Sequence, residues 1–151
     1  RSVGQEFDSI MDLLVTAPPT LSLTVGDGLD RLDITPNLAN RLKPEDAVTA
    51  DLVVRAAVRE VRRCVGSNDE LRGTLGDLQR VEILLGAGLR PDGACLVRFF
   101  AIFSTGGSST YSCNVSATGI RDKDGSIVIS ALSCAKDEGW GRTIDLKRER
   151  A

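Results

Sequence analysis

Apolar positions in this chain follow two different rhythms. Toward the N-terminal side they recur every three to four residues, and in the last third they recur every second residue. Phe7, Ile10, Met11 and Leu14 make one stripe along a predicted helix over residues 5–16, with Glu6 and Asp8 in its first turn and Pro18-Pro19 as its stop. Leu21 to Val25 alternates as a half-buried strand closed by Gly26-Asp27-Gly28. Residues 38–42 suggest a short helical turn after Pro36. A second long helix is predicted over 45–65, opened by Pro44, Glu45 and Asp46 and closed by Arg59, Arg62 and Arg63. Its buried stripe is Val54, Val58, Val61 and Val65, supported by Ala47 and Ala50. The many β-branched residues leave a strand over 52–58 as the competing assignment, but the arginines do not alternate as a strand requires. Gly66 ends this helix, and Ser67-Asn68-Asp69-Glu70 fits a capping box for another short helical turn.

From Val81 the period changes to two. One strand runs from Val81 toward Leu89, and Arg90-Pro91-Asp92-Gly93 turns the chain. The next, 95–103, is apolar on both sides: Cys95, Val97, Phe99, Ala101 and Phe103 on one, Leu96, Phe100 and Ile102 on the other. Only Arg98 interrupts it, so this strand is expected to be central and covered on both faces. Thr110 to Thr118 alternates cleanly, with Tyr111, Cys113, Val115 and Ala117 inward. Ile127 to Leu132 follows the turn at Asp122–Gly125, and a last strand from Trp140 to Leu146 follows Asp137-Glu138-Gly139. The fold class implied is α+β: an antiparallel β-meander over about residues 80–146 with the two long helices packed on it. The expected divisions are a helix–strand unit over 1–28, the α+β domain over 29–146 and a charged tail over 147–151.

The first unit carries a resemblance. A helix opening on Gly4-Gln5-Glu6-Phe7-Asp8, a short loop and then Leu21-Ser22-Leu23-Thr24-Val25 resembles the last helix and last strand of a PDZ domain. The resemblance covers residues 4–26 and implies one wall of a groove that takes a peptide C-terminus as an added strand. The carboxylate-binding glycine loop of that family has no counterpart in this chain. A generic helix–strand unit is the competing reading. The resemblance implies that Arg1 begins within a longer or processed protein, as does the lack of an initiator methionine.

Composition narrows the chemistry. A formal charge of −2 over 151 residues argues against a nucleic-acid protein. No run approaches the ~18 apolar residues of a membrane-spanning helix. Histidine is absent, which removes Ser-His and Cys-His catalytic pairs and imidazole metal sites. Cys64, Cys95, Cys113 and Cys134 form no Cys-x-x-Cys pair. Across the last hairpin, a two-residue turn places Cys113 and Cys134 on a diagonal, and a three-residue turn points them to opposite faces. All four therefore read as reduced, buried thiols, which suits a reducing compartment. Asp122-x-Asp124-Gly125 lacks the spacing of a calcium loop and reads as a hairpin turn. Catalytic residues, metal ligands and cofactors are accordingly not expected.

Two kinds of candidate site remain. Ser112, Asn114, Ser116 and Thr118, with Ser130 or Ser133 beside them depending on register, form a hydroxyl-rich sheet face suited to a partner surface or a small polar ligand; the competing and more common reading is the solvent face of a half-buried sheet. Trp140, between two glycines, is either an interface anchor or a cap on the core. Arg98 in an apolar strand needs a carboxylate or an opening, and Glu82 is the expected partner; an unpaired Arg98 would instead mark a ligand pocket. The function expected is a non-catalytic protein-binding or assembly subunit of a larger complex. PDZ-type pieces joined to α+β domains occur in plastid proteins of algae, so its most specific form is an accessory subunit docked on the stromal side of a plastid thylakoid photosystem, with a cytoplasmic protein as the alternative. The alternative function is a small-ligand carrier with a pocket near Arg98.

Overall fold

The valine stripe between Pro44 and Gly66 closes against a five-stranded antiparallel sheet, and that contact organises the molecule. A computed structural model describes residues 20–21, 32–136 and 143–148. The helix predicted over 5–16, the strand beyond Leu21 and Trp140 lie outside the described residues. In chain order the elements are β1 (Thr20–Leu21), β2 (Leu32–Asp33), α1 (Pro36–Arg41), α2 (Pro44–Gly66), α3 (Asp69–Leu75), β3 (Asp77–Leu89), β4 (Cys95–Gly106), β5 (Ser109–Arg121), β6 (Ile127–Lys136) and β7 (Thr143–Lys147). β1 and β2 pair with each other, and β3 to β7 form a meander in sequence order. The class is α+β.

Helix α2 settles the competition at 52–58. Pro44 occupies its first turn with Glu45 and Asp46, and Arg63 lies in its last, so both ends suit the helix dipole. Ala50, Val53, Val54, Ala57, Val58 and Val61 are fully buried, a stripe only a helix can present. Ser67 closes the helix, its hydroxyl donating to the Cys64 carbonyl at 3.2 Å. The N-cap of α3 is Asn68, one residue later than the capping box implied: its side-chain oxygen accepts from the Leu71 amide at 3.0 Å. On the flank of α2, Arg55 donates to Asp51 at 2.6 Å, and both side chains are buried.

The helix comes close to the sheet because Gly119 lets it. A side-chain carbon at that position would meet Val53 at 2.8 Å and Ile127 at 2.9 Å, well inside van der Waals contact. Around this seat Phe99, Phe103, Val115, Cys113 and Cys134 are completely buried and pack with the α2 valines into one core.

Two irregularities shape the sheet. Near the β5–β6 turn Arg121 faces Ile127 and Gly119 faces Ile129; beyond a bulge at Ser130, Thr118 faces Ala131 and Val115 faces Cys134. The turn itself is held by Asp122, whose carboxylate accepts from the amides of Asp124 and Ser126 at 2.9 Å each. Both hairpin registers are therefore present, one on each side of the bulge. Cys113 faces Lys136, which places Cys113 and Cys134 on a diagonal of the same face, and all four cysteines are free thiols. Strand β3 carries three register shifts against β4, so that Leu78, Val81, Leu84 and Ala87, three residues apart, face Phe103, Ala101, Phe99 and Val97, two apart.

Strand β4 departs from expectation. It is second in the sheet, but among the described residues helices cover only one of its faces. Val97, Phe99, Ala101 and Phe103 are buried, whereas Leu96 is 40% exposed, Arg98 is exposed, and Phe100 and Ile102 are half-buried. An antiparallel sheet needs only one face covered, and apolar pattern alone cannot tell cover by a helix from partial cover by neighbouring side chains.

Candidate docking face

The site is the sheet face turned away from α2, and strand alternation builds it. Because Val97, Phe99 and Ala101 point at the helix, Leu96, Arg98, Phe100 and Ile102 point away from it. The register then lines up β5 beside them: Thr118 opposite Leu96, Ser116 opposite Arg98, Asn114 opposite Phe100 and Ser112 opposite Ile102. On the other side of β5, Ser116 faces Ser133, Thr118 faces Ala131 and Asn114 faces Ala135. The hydroxyl row is thus brought together on one face, with Ser133 as its neighbour. Ser130 sits in the bulge and donates to the Thr118 carbonyl at 3.4 Å. The row is not uniformly exposed: Ser112 and Ser116 are open, Asn114 is half-buried and Thr118 is 7% exposed.

A shallow groove of about 600 Å³ runs across this face. Gly86 and Gly88 of β3 form one wall, Leu96 and Arg98 of β4 with Ser116 and Thr118 of β5 form the floor, and Ala131, Ser133, Asp145 and Arg148 close the other side. Small residues at 86, 88 and 131 make the hollow; nothing lies within 4 Å of the space a side chain would take at Gly86 or Gly88. Beside it Ile120 faces Val128, and these two are 41% and 47% exposed. With Leu96 they form an apolar margin at the turn end of the sheet.

Arg98 does not pair with Glu82. Glu82 lies in a bulge of β3 between Val81 and Ile83 and accepts from Arg80 at 2.8 Å, while Arg98 faces Gly86 four residues further on. Among the described residues Arg98 makes no ion pair. It lies on an open face, where solvent supplies the hydration that a buried arginine would need from a carboxylate. Arg148 pairs with Asp145 at 2.9 Å at the groove rim. Lys147 also borders the groove. Of the two residues expected to mark a pocket, then, Arg98 lines the groove and Glu82 stands outside it. Leu96, Ile120, Val128 and Asp145 were not singled out by the sequence, although the even-numbered apolar set of β4 already contained Leu96. Of the two neighbours that the register left open, Ser133 is the one that faces the row.

The buried thiols lie on the opposite face. Burial, and then the nearby Asp46 carboxylate, push the Cys95 thiol up to about 11. Contact with Cys113, reinforced by burial, drives the Cys134 thiol upward as well. Cys95 and Cys134 are therefore protonated at neutral pH and pack as small apolar groups. Among the described residues no cluster of cysteine and carboxylate side chains is arranged to hold a metal ion, and no helix is long and apolar enough to cross a membrane.

No family model, curated protein or solved structure matches this chain.

Proposed function

We propose that the open sheet face docks a protein partner and that the chain acts as a non-catalytic assembly subunit of a larger complex. The observation that carries this reading is the groove face itself. It combines exposed Leu96, Ile120 and Val128 with a hydroxyl row and an uncompensated arginine, a mixture found where a surface is covered in an assembly. The small-ligand carrier requires an enclosed cavity beside Arg98. The space there is open, and Phe99 and Phe103 fill the interior behind it, which favours docking over enclosure.

The photosystem form of this reading, a subunit on the stromal side of a plastid thylakoid, rests on the PDZ-like stretch over 4–26 and on the reduced-thiol reading of the cysteines.

Sedimentation of the natively expressed chain tests the proposal. The wild-type chain is expected in a large assembly. Leu96→Asp, at an exposed position, is expected to change stability by only about 0.5 kcal/mol yet release the chain as a free species. A wild-type chain that sediments as a free monomer in its native extract overturns the reading.

A further inference from the structure

We infer that the occupant of the groove is an amphipathic α-helix of a partner protein, with an apolar stripe bordered by carboxylates. This rests on the docking reading above and names the chemistry of the partner. Two observations lead to it, one of shape and one of charge.

The shape argument starts from the covered face. There α2 seats against the sheet because Gly119 admits its approach, and an apolar helical stripe fills the space between. The open face has the same ingredients: small residues Gly86, Gly88 and Ala131 hollow out a groove, Leu96 offers apolar contact within it, and Phe100 continues the same strand face beyond Arg98. A twisted sheet presents a concave diagonal that fits a cylinder about 10 Å across, so a helix on the second face completes a three-layer arrangement. A strand added at the sheet edge would leave this face as open as before.

The charge argument runs against the sign of the whole chain. The chain carries a formal charge of −2, yet the groove is bordered by Arg98, Lys147 and Arg148 with Asp145 as the one acid among its lining residues. Asp145 is committed to Arg148, which leaves Arg98 on the groove floor with no carboxylate among the described residues. An apolar helix alone would desolvate Arg98 at a cost. One carrying Asp or Glu beside its apolar stripe gives Arg98 a bidentate partner in a partly dehydrated contact. A basic helix, or an anionic strand of nucleic acid lacking an apolar stripe, satisfies only one of the two features.

The test uses two synthetic helical peptides of about four turns with the same leucine stripe, one flanked by glutamates and one by lysines. Each is titrated into the full chain, and amide shifts and affinity are followed by nuclear magnetic resonance. The glutamate peptide is expected to bind more tightly, with shifts centred on Leu96, Arg98, Ser116 and Thr118. Arg98→Glu, at an exposed position with no partner to lose, is expected to weaken that binding about tenfold and to transfer the preference to the lysine peptide. Equal binding of both peptides, or no change in preference with Arg98→Glu, overturns the inference. So does self-association of the chain through this face, which would make a second copy the occupant. If neither peptide binds while the chain still sediments in its native assembly with the face protected from hydrogen exchange, the helical occupant is overturned and the docking reading survives.

Discussion

The two faces of the β3–β7 sheet are made by the same strands and differ in almost every other respect. On one, alternate residues of β4 and β5 meet the valines of α2 at van der Waals distance and exclude water. On the other, the intervening residues of the same strands are apolar on β4 except for Arg98, polar on β5, and open or half-open to solvent over much of their length. A single frame of alternation therefore assigns one set of residues to the core and leaves the other set toward solvent. The lesson is that an apolar residue in a strand reports which face it belongs to, not whether the molecule itself covers that face.

The contrast can be broken hardest at the phenylalanines. Phe99→Ala removes a fully buried ring and is expected to cost about 3–5 kcal/mol in urea unfolding, whereas Phe100→Ala on the open face should cost no more than half as much. Equal losses would mean that the open face is covered as well. On the flank of the covered side, Asp51→Ala leaves the buried Arg55 without the carboxylate it contacts at 2.6 Å, an expected loss of about 3 kcal/mol by the same measurement. Gly119→Val tests the approach of α2 directly. The added carbons collide with Val53 and Ile127, and a loss of about 2 kcal/mol in thermal or urea unfolding is expected, while an equal change at Gly86 on the open face should be nearly silent.

The smallest effect is a pH dependence. The Cys95 thiol has a raised pKa in the folded chain, so its contribution to stability is complete below the ordinary thiol value of 9.0 and is lost as pH rises through about 11. Stability of the wild-type chain is expected to fall more steeply over that range than that of Cys95→Val, measured by denaturant unfolding at stepped pH. Parallel curves would show that the thiol ionises as readily folded as unfolded.

Much of the covered side was legible in the sequence. The spacing of Val54, Val58, Val61 and Val65 has one helical solution, and Tyr111 through Ala117 has one strand solution, because each period is set by backbone geometry alone. The start of β3 was missed by four residues, at Val81 in place of Asp77. Its inward residues recur every third position, a spacing that fits neither a regular strand nor a helix and arises only when bulges are counted. The two hairpin registers looked like alternatives, yet the inward residues of β6 shift from odd to even numbers, Ile127 and Ile129 and then Leu132 and Cys134, which is how a bulge is recorded in a sequence. Arg98 was read as buried because its apolar neighbours on both sides of the strand were all assigned cover. Nothing in the strand itself distinguishes cover by the chain from cover reserved for something else.

The bulges of β3 have a further consequence. A thirteen-residue strand at the border of a sheet would ordinarily expose a straight row of amides and carbonyls, a template on which copies of the same chain could stack into fibres. Three register shifts break that row into short, differently aimed pieces, and the bridge between Ile34 and Leu84 occupies part of it. At the opposite border β7 is five residues long. The sheet is thereby guarded against polymerising along its borders, so the apolar residues open on its second face do not sit beside a ready template for aggregation.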